Sequence, residues 1–147
     1  MSGRLSAGDV MTGDPVTIEA TDSIVHAARL MRDHDIGDLL VADRGHLVGI
    51  VTDRDIVIRG IAESRGVETT HVGEVCSRDV VTVAPDDDLE QVVAIMCEHA
   101  VRRMPVVEAG RVVGVISLGD LAQEDGELAL TDAKSVLTEI SLARPNH

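Results

Sequence analysis

Two four-residue groupings in this sequence carry side chains suited to binding chemistry, Thr52-Asp53-Arg54-Asp55 and Ser117-Leu118-Gly119-Asp120. In each, a hydroxyl closes an apolar run and a carboxylate follows three residues later, in the first turn of an expected helix. Such a carboxylate can accept from both hydroxyls of a ribose, while the hydroxyl and the helix N-terminus face a phosphate. The same groups can also simply cap their helices. Capping and binding are compatible, and the occurrence of the arrangement twice favours binding.

The elements that must hold these groups repeat as well. Val75 answers Val10, Val81-Thr82 answers Val16-Thr17, Met96 answers Met31, His99 answers His34, Gly110 answers Gly45 and Asp120 answers Asp55, every pair 65 apart without a gap. A register of this kind marks a duplication. In the first copy Pro15 to Ile18 is β-prone, and Thr21 or Asp22 is expected to cap a helix whose apolar face is Ile24, Ala27, Ala28 and Met31. Leu39 to Val41 and Leu47 to Val51 predict a hairpin about Asp43-Arg44-Gly45. Arg54 to Ala62 returns to helical spacing through Ile56, Val57 and Ile61. The expected fold class is therefore α/β (α+β), with two tandem β-α-β-β-α repeats and a C-terminal helix.

The expected boundaries are residues 7–62 for repeat 1, 63–71 for a polar linker, 72–124 for repeat 2 and 125–147 for an acidic linker and a C-terminal amphipathic helix. That helix aligns Leu130, Ala133, Val136, Leu137 and Ile140 on one face, which must cover its own core or a neighbouring subunit. The acidic run Asp86-Asp87-Asp88 precedes a helix and reads as a solvated cap.

The balance of charge limits the partners. A formal net charge of -13 argues against nucleic acid and anionic membranes, which are held mainly by clustered Lys and Arg. An anionic ligand has to be drawn by a local cluster of basic residues or by helix N-termini working against the field of the whole molecule. No run approaches the length of a membrane span and the start lacks a signal-like pattern, so a cytoplasmic protein is expected. Cys76 and Cys97 have no CxxC partner and read as free thiols. The six histidines form no metal or catalytic motif; His34 and His99 hold matching helix ends, where a cation meets the negative end of the dipole.

The pair G-I-V-T-D-R-D-I (49–56) and G-V-I-S-L-G-D-L (114–121), together with V-R-R-M-P-V-V (101–107) and D-P-V-T-I (14–18), resembles the paired cystathionine-β-synthase (CBS) domain, or Bateman module, over residues 7 to about 124. M-R-D-H-D-I-G (31–37), T-D-R-D-I-V-I (52–58) and E-H-A-V-R-R-M-P (98–105) are similar to the stand-alone actinobacterial hypoxic response protein group. The resemblance implies two repeats with pseudo-twofold symmetry, two clefts each built from both repeats, adenosine-type ligands (AMP, ADP, ATP or S-adenosylmethionine), and a homodimer formed through helices. No cofactor is implied beyond an adenine nucleotide held as ligand.

On that geometry the first cleft combines Ile50, Thr52, Arg54 and Asp55 with Asp79, Val80, Val101, Arg102, Arg103 and Met104. The second, expected to be weaker, combines Ser117 and Asp120 with Asp14, Val16, Ile36, Gly37, Asp38 and Leu39. Where the first has Arg54, Arg102 and Arg103, the second has Gly119, Gly37 and Asp38. Arginine hydrogen bonds to an anion are worth roughly 1.5 to 3 kcal/mol each when well formed, so only the first cleft is expected to prefer phosphate. The alternative is that these arginines pair with Asp33, Asp53 or Glu98 at the surface. Phe, Tyr and Trp are absent, so an adenine would lie between aliphatic residues such as Ile50, Val80, Val101 and Met104.

The expected function is a non-enzymatic sensor that binds an adenosine-type ligand and signals to an unidentified protein partner. The alternative is a ligand-free structural or protein-interaction module acting in a stress response. A small enzyme is the third reading, disfavoured by the lack of any Ser-His-Asp, Cys-His, H-E-x-x-H or P-loop arrangement.

Overall fold

A computed structural model describes residues 5–124, with side chains described through Leu121; the expected C-terminal helix lies outside the described residues. The described chain divides into two compact units, which are not simply the two sequence repeats. Residues 16–80 form one; residues 81–124, together with the opening segment up to Pro15, belong to the other. The opening segment of each repeat thus packs with the body of the other repeat.

In the 16–80 unit, β1 (Thr17–Glu19) runs parallel to β2 (Asp38–Asp43), which pairs antiparallel with β3 (His46–Thr52). The β2–β3 turn places Arg44 and Gly45 at φ 52° and 89°, the two successive positive values of a tight hairpin turn. The intervening α2 (Ile24–His34) buries Ile24, Ala27 and Met31. Ala28 is exposed, and the cap is Ser23, whose side chain accepts from the His26 N–H. Asp22 instead accepts from the Glu19 N–H, so the expected cap fell one or two residues early.

After β3 a single α-turn, α3 (Asp53–Asp55), continues as a π-helix over Ile56–Ile61. The expected α-helix is replaced there by bonds five residues apart, Ala62 N–H to the Val57 carbonyl at 2.8 Å and Arg65 N–H to that of Gly60 at 3.0 Å. Ile56 and Gly60 face the core, where Gly60 lies against the Ile24 side chain. Val57 and Ile61, expected on the apolar face, are 50% and 56% exposed. A 3-10 turn at Val72–Glu74 brings Val72, Val75 and Cys76 into the core of Ile18, Ile24, Met31, Leu39, Val41, Val51 and Ile56.

The other unit repeats the plan. α1 (Ala7–Val10) is capped at Ser6, and α4 (Leu89–His99) at Asp88, whose side chain accepts from the Gln91 N–H. β4 (Arg103–Glu108) and β5 (Arg111–Ser117) form a hairpin whose register shifts between Val106 and Val107, as the first does between Val41 and Ala42. The expected strand at Val81-Thr82 is reduced to one parallel bridge, Val83 with Val106. α5 (Leu118–Glu124) closes the unit over a core that includes Ala7, Val92, Met96, Met104, Val106, Ile116 and Leu121. Both α2 and α4 end on a left-handed residue other than glycine, Asp35 and Ala100, each at φ 54°.

Candidate functional site

Each grouping follows from a strand that ends where its backbone must turn. At the end of β3 the Thr52 hydroxyl oxygen accepts from the Asp55 N–H at 3.0 Å, and Asp55 Oδ2 accepts from the Thr52 N–H at 3.0 Å. Ser117 and Asp120 make the same reciprocal pair at 3.2 and 2.9 Å. Capping is therefore the resting role of both, as the capping-box chemistry requires. It leaves useful groups over: the Thr52 hydroxyl hydrogen can still donate, and Asp55 Oδ1 carries no backbone bond. The Asp55 side chain is 17% exposed, a carboxylate reachable from solvent yet partly screened from it.

The approach to Ile50 is built by a glycine. Residues 76–77 run along β3, with the Ile50 N–H donating to the Ser77 carbonyl at 2.9 Å and the Ser77 N–H to that of Ile50 at 2.8 Å. A side chain at Gly49 would overlap the Ser77 carbonyl oxygen, so this approach demands glycine. Gly114 plays the same part for Thr12, whose N–H and carbonyl bond to Val115 at 2.8 and 2.9 Å. Asp79 and Val80 follow Ser77 after Arg78, and Ile50, Thr52, Arg54, Asp55, Asp79 and Val80 all belong to the 16–80 unit.

Val16, Ile36, Gly37, Asp38 and Leu39 belong to that unit too. Asp38 is the strand partner of Thr52, and the Gly37 carbonyl accepts from the Asp53 N–H at 2.9 Å. In the other unit Arg103 is the strand partner of Ser117, and the Arg102 carbonyl accepts from the Leu118 N–H at 3.0 Å. Asp14 also belongs to this second unit, at φ 49°. Within the units, then, Arg102 and Arg103 stand with Ser117 and Asp38 stands with Thr52; the expected crosswise grouping rests on family resemblance. Met104 and Leu39 are each 1% exposed and belong to the two cores, so what either can offer a ligand is its backbone.

One residue near Asp55 escaped the sequence reading. Arg59 lies one helical turn on, its Nε 3.9 Å from Asp55 Oδ1, and its Nη1 reaches the carbonyls of Val75 and Cys76 at 3.4 and 3.5 Å. Its spacing of four from Asp55 was the available signal. Beside it Cys76 is buried, and burial pushes its thiol pKa up, opposed by Arg78 and reinforced by Asp55. Arg54 is exposed and lines a shallow depression with Asp53, Val57 and Ile58. Among the described residues no three His, Cys, Asp or Glu side chains cluster as a metal site would require, and no helix is long and apolar enough to cross a membrane.

Comparison with known proteins agrees with this architecture. Residues 7–60 and 72–127 each match the CBS domain. CBS domain-containing protein YhcV of Bacillus subtilis is 38% identical over 92% of this chain and 95% of its own length. Hypoxic response protein 1 of Mycobacterium tuberculosis is 33% identical over 94% and 98%; a crystal structure of Hypoxic Response Protein I with two coordinated zinc ions superposes with a TM-score of 0.75 at 32% identity, covering 85% of this chain and 100% of that one. The CBS domain pair of protein MJ0100, solved with 5′-methylthioadenosine and S-adenosyl-L-methionine, gives 0.66 at 29% identity over 82% and 94%. A duplicated unit, two capped hydroxyl and carboxylate motifs and these matches together assign the chain to the CBS-domain family, as a tandem CBS pair related to the hypoxic response proteins.

Proposed function

We propose that the chain is a non-enzymatic regulatory module that binds an adenosine-type ligand, AMP, ADP, ATP or S-adenosylmethionine, in clefts to which both repeats contribute. The stronger site is the one at Thr52 and Asp55. The observation that carries this is the cap that leaves Asp55 Oδ1 and the Thr52 hydroxyl hydrogen available, with the cations Arg54 and Arg59 on the same short helix. Position 119, the repeat equivalent of Arg54, is glycine. Ribose hydroxyls donate to the carboxylate, phosphate is drawn by the arginines, and the base lies against Ile50 and Val80. The adenosine compounds held by the MJ0100 pair support the ligand class.

Val57, Ile58 and Ile61, 46% to 56% exposed on the π-helix, favour association of two copies, and they equally favour the second reading, a ligand-free interaction module in a stress response. Neither Cys76 nor Cys97 is in a disulfide, which fits a reducing cytoplasm. One experiment separates the two readings. Without Trp or Tyr the protein scarcely absorbs at 280 nm, so retained nucleotide would dominate its ultraviolet spectrum near 260 nm. Retained nucleotide, or a melting temperature raised by an adenosine compound, supports the sensor; neither effect supports the interaction module. Light scattering of the native chain against Ile58→Glu tests the dimer.

A further inference from the structure

Arg59 faces the one oxygen of Asp55 that the helix cap leaves unused, at 3.9 Å. At that separation the two form an ion pair without a hydrogen bond, and the Nη1 contacts to the Val75 and Cys76 carbonyls are at the long limit. The guanidinium, with its side chain 55% exposed, is thus loosely held and keeps donors for a ligand. Charge makes the position consequential. A lone carboxylate that reads a ribose also repels the phosphate attached to it; a guanidinium within 4 Å offsets that repulsion and adds attraction. The second repeat inverts this, with Gly119 and Glu124 at the positions equivalent to Arg54 and Arg59.

We propose that Arg59 is a specificity-determining residue, resting on the ribose-reading role of Asp55 given above: it offsets the charge of Asp55 and so selects phosphorylated over unphosphorylated adenosine compounds. The selection works without a new contact to the base or the sugar.

The test is isothermal titration of the full chain with AMP and with adenosine, for the native protein, Arg59→Gln, Arg59→Lys and Arg59→Glu, each checked by a melting curve. Arg59→Gln is expected to weaken AMP binding about tenfold while adenosine stays within about twofold. Arg59→Lys should restore most of the AMP affinity, because it keeps the charge, and Arg59→Glu should weaken AMP further. Equal losses for AMP and adenosine would mean a purely structural role and overturn the proposal, as would unchanged AMP binding in Arg59→Gln. Native protein that binds adenosine and AMP equally overturns this proposal alone; native protein that binds neither overturns the adenosine reading and this proposal with it.

Discussion

Gly49→Ala is the substitution for which the structure gives the sharpest expectation. Gly49 has no left-handed backbone requirement, so any penalty is steric. The added methyl would meet the Ser77 carbonyl oxygen and come within 3.1 Å of Cys76 Sγ; the first of these is backbone and cannot swing aside. Segment 76–77 must lift from β3, which breaks the pair of 2.8 and 2.9 Å bonds between Ile50 and Ser77. Each such bond contributes about 1 kcal/mol, and overpacking costs about 1 to 3 kcal/mol, so a loss of about 3 to 5 kcal/mol is expected. For a chain of this size that lowers the melting temperature by roughly 9 to 20 °C. Gly13→Ala is the control, because nothing lies within 4 Å of its added methyl. Thermal denaturation followed by circular dichroism measures both, with amide exchange at Ile50 and Ser77 reporting the local opening. A Gly49→Ala protein that melts within about 2 °C of the native one refutes the close approach of segment 76–77 to β3.

Other expectations follow from the same geometry. Thr52→Val removes the acceptor for the Asp55 N–H and should cost about 1 kcal/mol in urea unfolding, with a loss of nucleotide binding beyond that stability effect. Ala100→Gly should raise stability by about 0.5 to 1 kcal/mol, since Ala100 holds a left-handed φ of 54° that glycine adopts without strain. Burial raises the Cys76 thiol above its ordinary 9.0, so the unfolded chain ionises first: stability present below that pH is lost as pH rises above it. Melting temperature should therefore fall above pH 9, and fall less steeply in Cys76→Ala.

Much of this fold was legible because its signals are local. The 65-residue period, the Arg44-Gly45 and Ala109-Gly110 turns and the Thr52 and Ser117 caps each depend on neighbours within a few residues or on simple repetition. What escaped depends on distant partners. That residues 76–77 pack on β3 while residues 11–12 pack on β5 is fixed by contacts across long stretches of chain, and only Gly49 and Gly114 hint at them. The π-helix, with Gly60 lying against Ile24 and Val57 and Ile61 turned outward, is not marked by the apolar spacing, which fits bonds four residues apart as well as five. Arg59 was hidden for a related reason: its i+4 spacing from Asp55 is visible, but its reach to the Val75 and Cys76 carbonyls needs the folded backbone. In the site itself, the capping bonds were readable as one of two roles, while the oxygen left free on Asp55 was not.

The inequality of the two motifs is tested most directly by titrating AMP into the native chain, Asp55→Ala and Asp120→Ala. Asp55→Ala should abolish measurable AMP binding and Asp120→Ala should leave it within about twofold of native. Retention of AMP binding by Asp55→Ala, or its loss in Asp120→Ala alone, would contradict a phosphate-preferring site at Asp55.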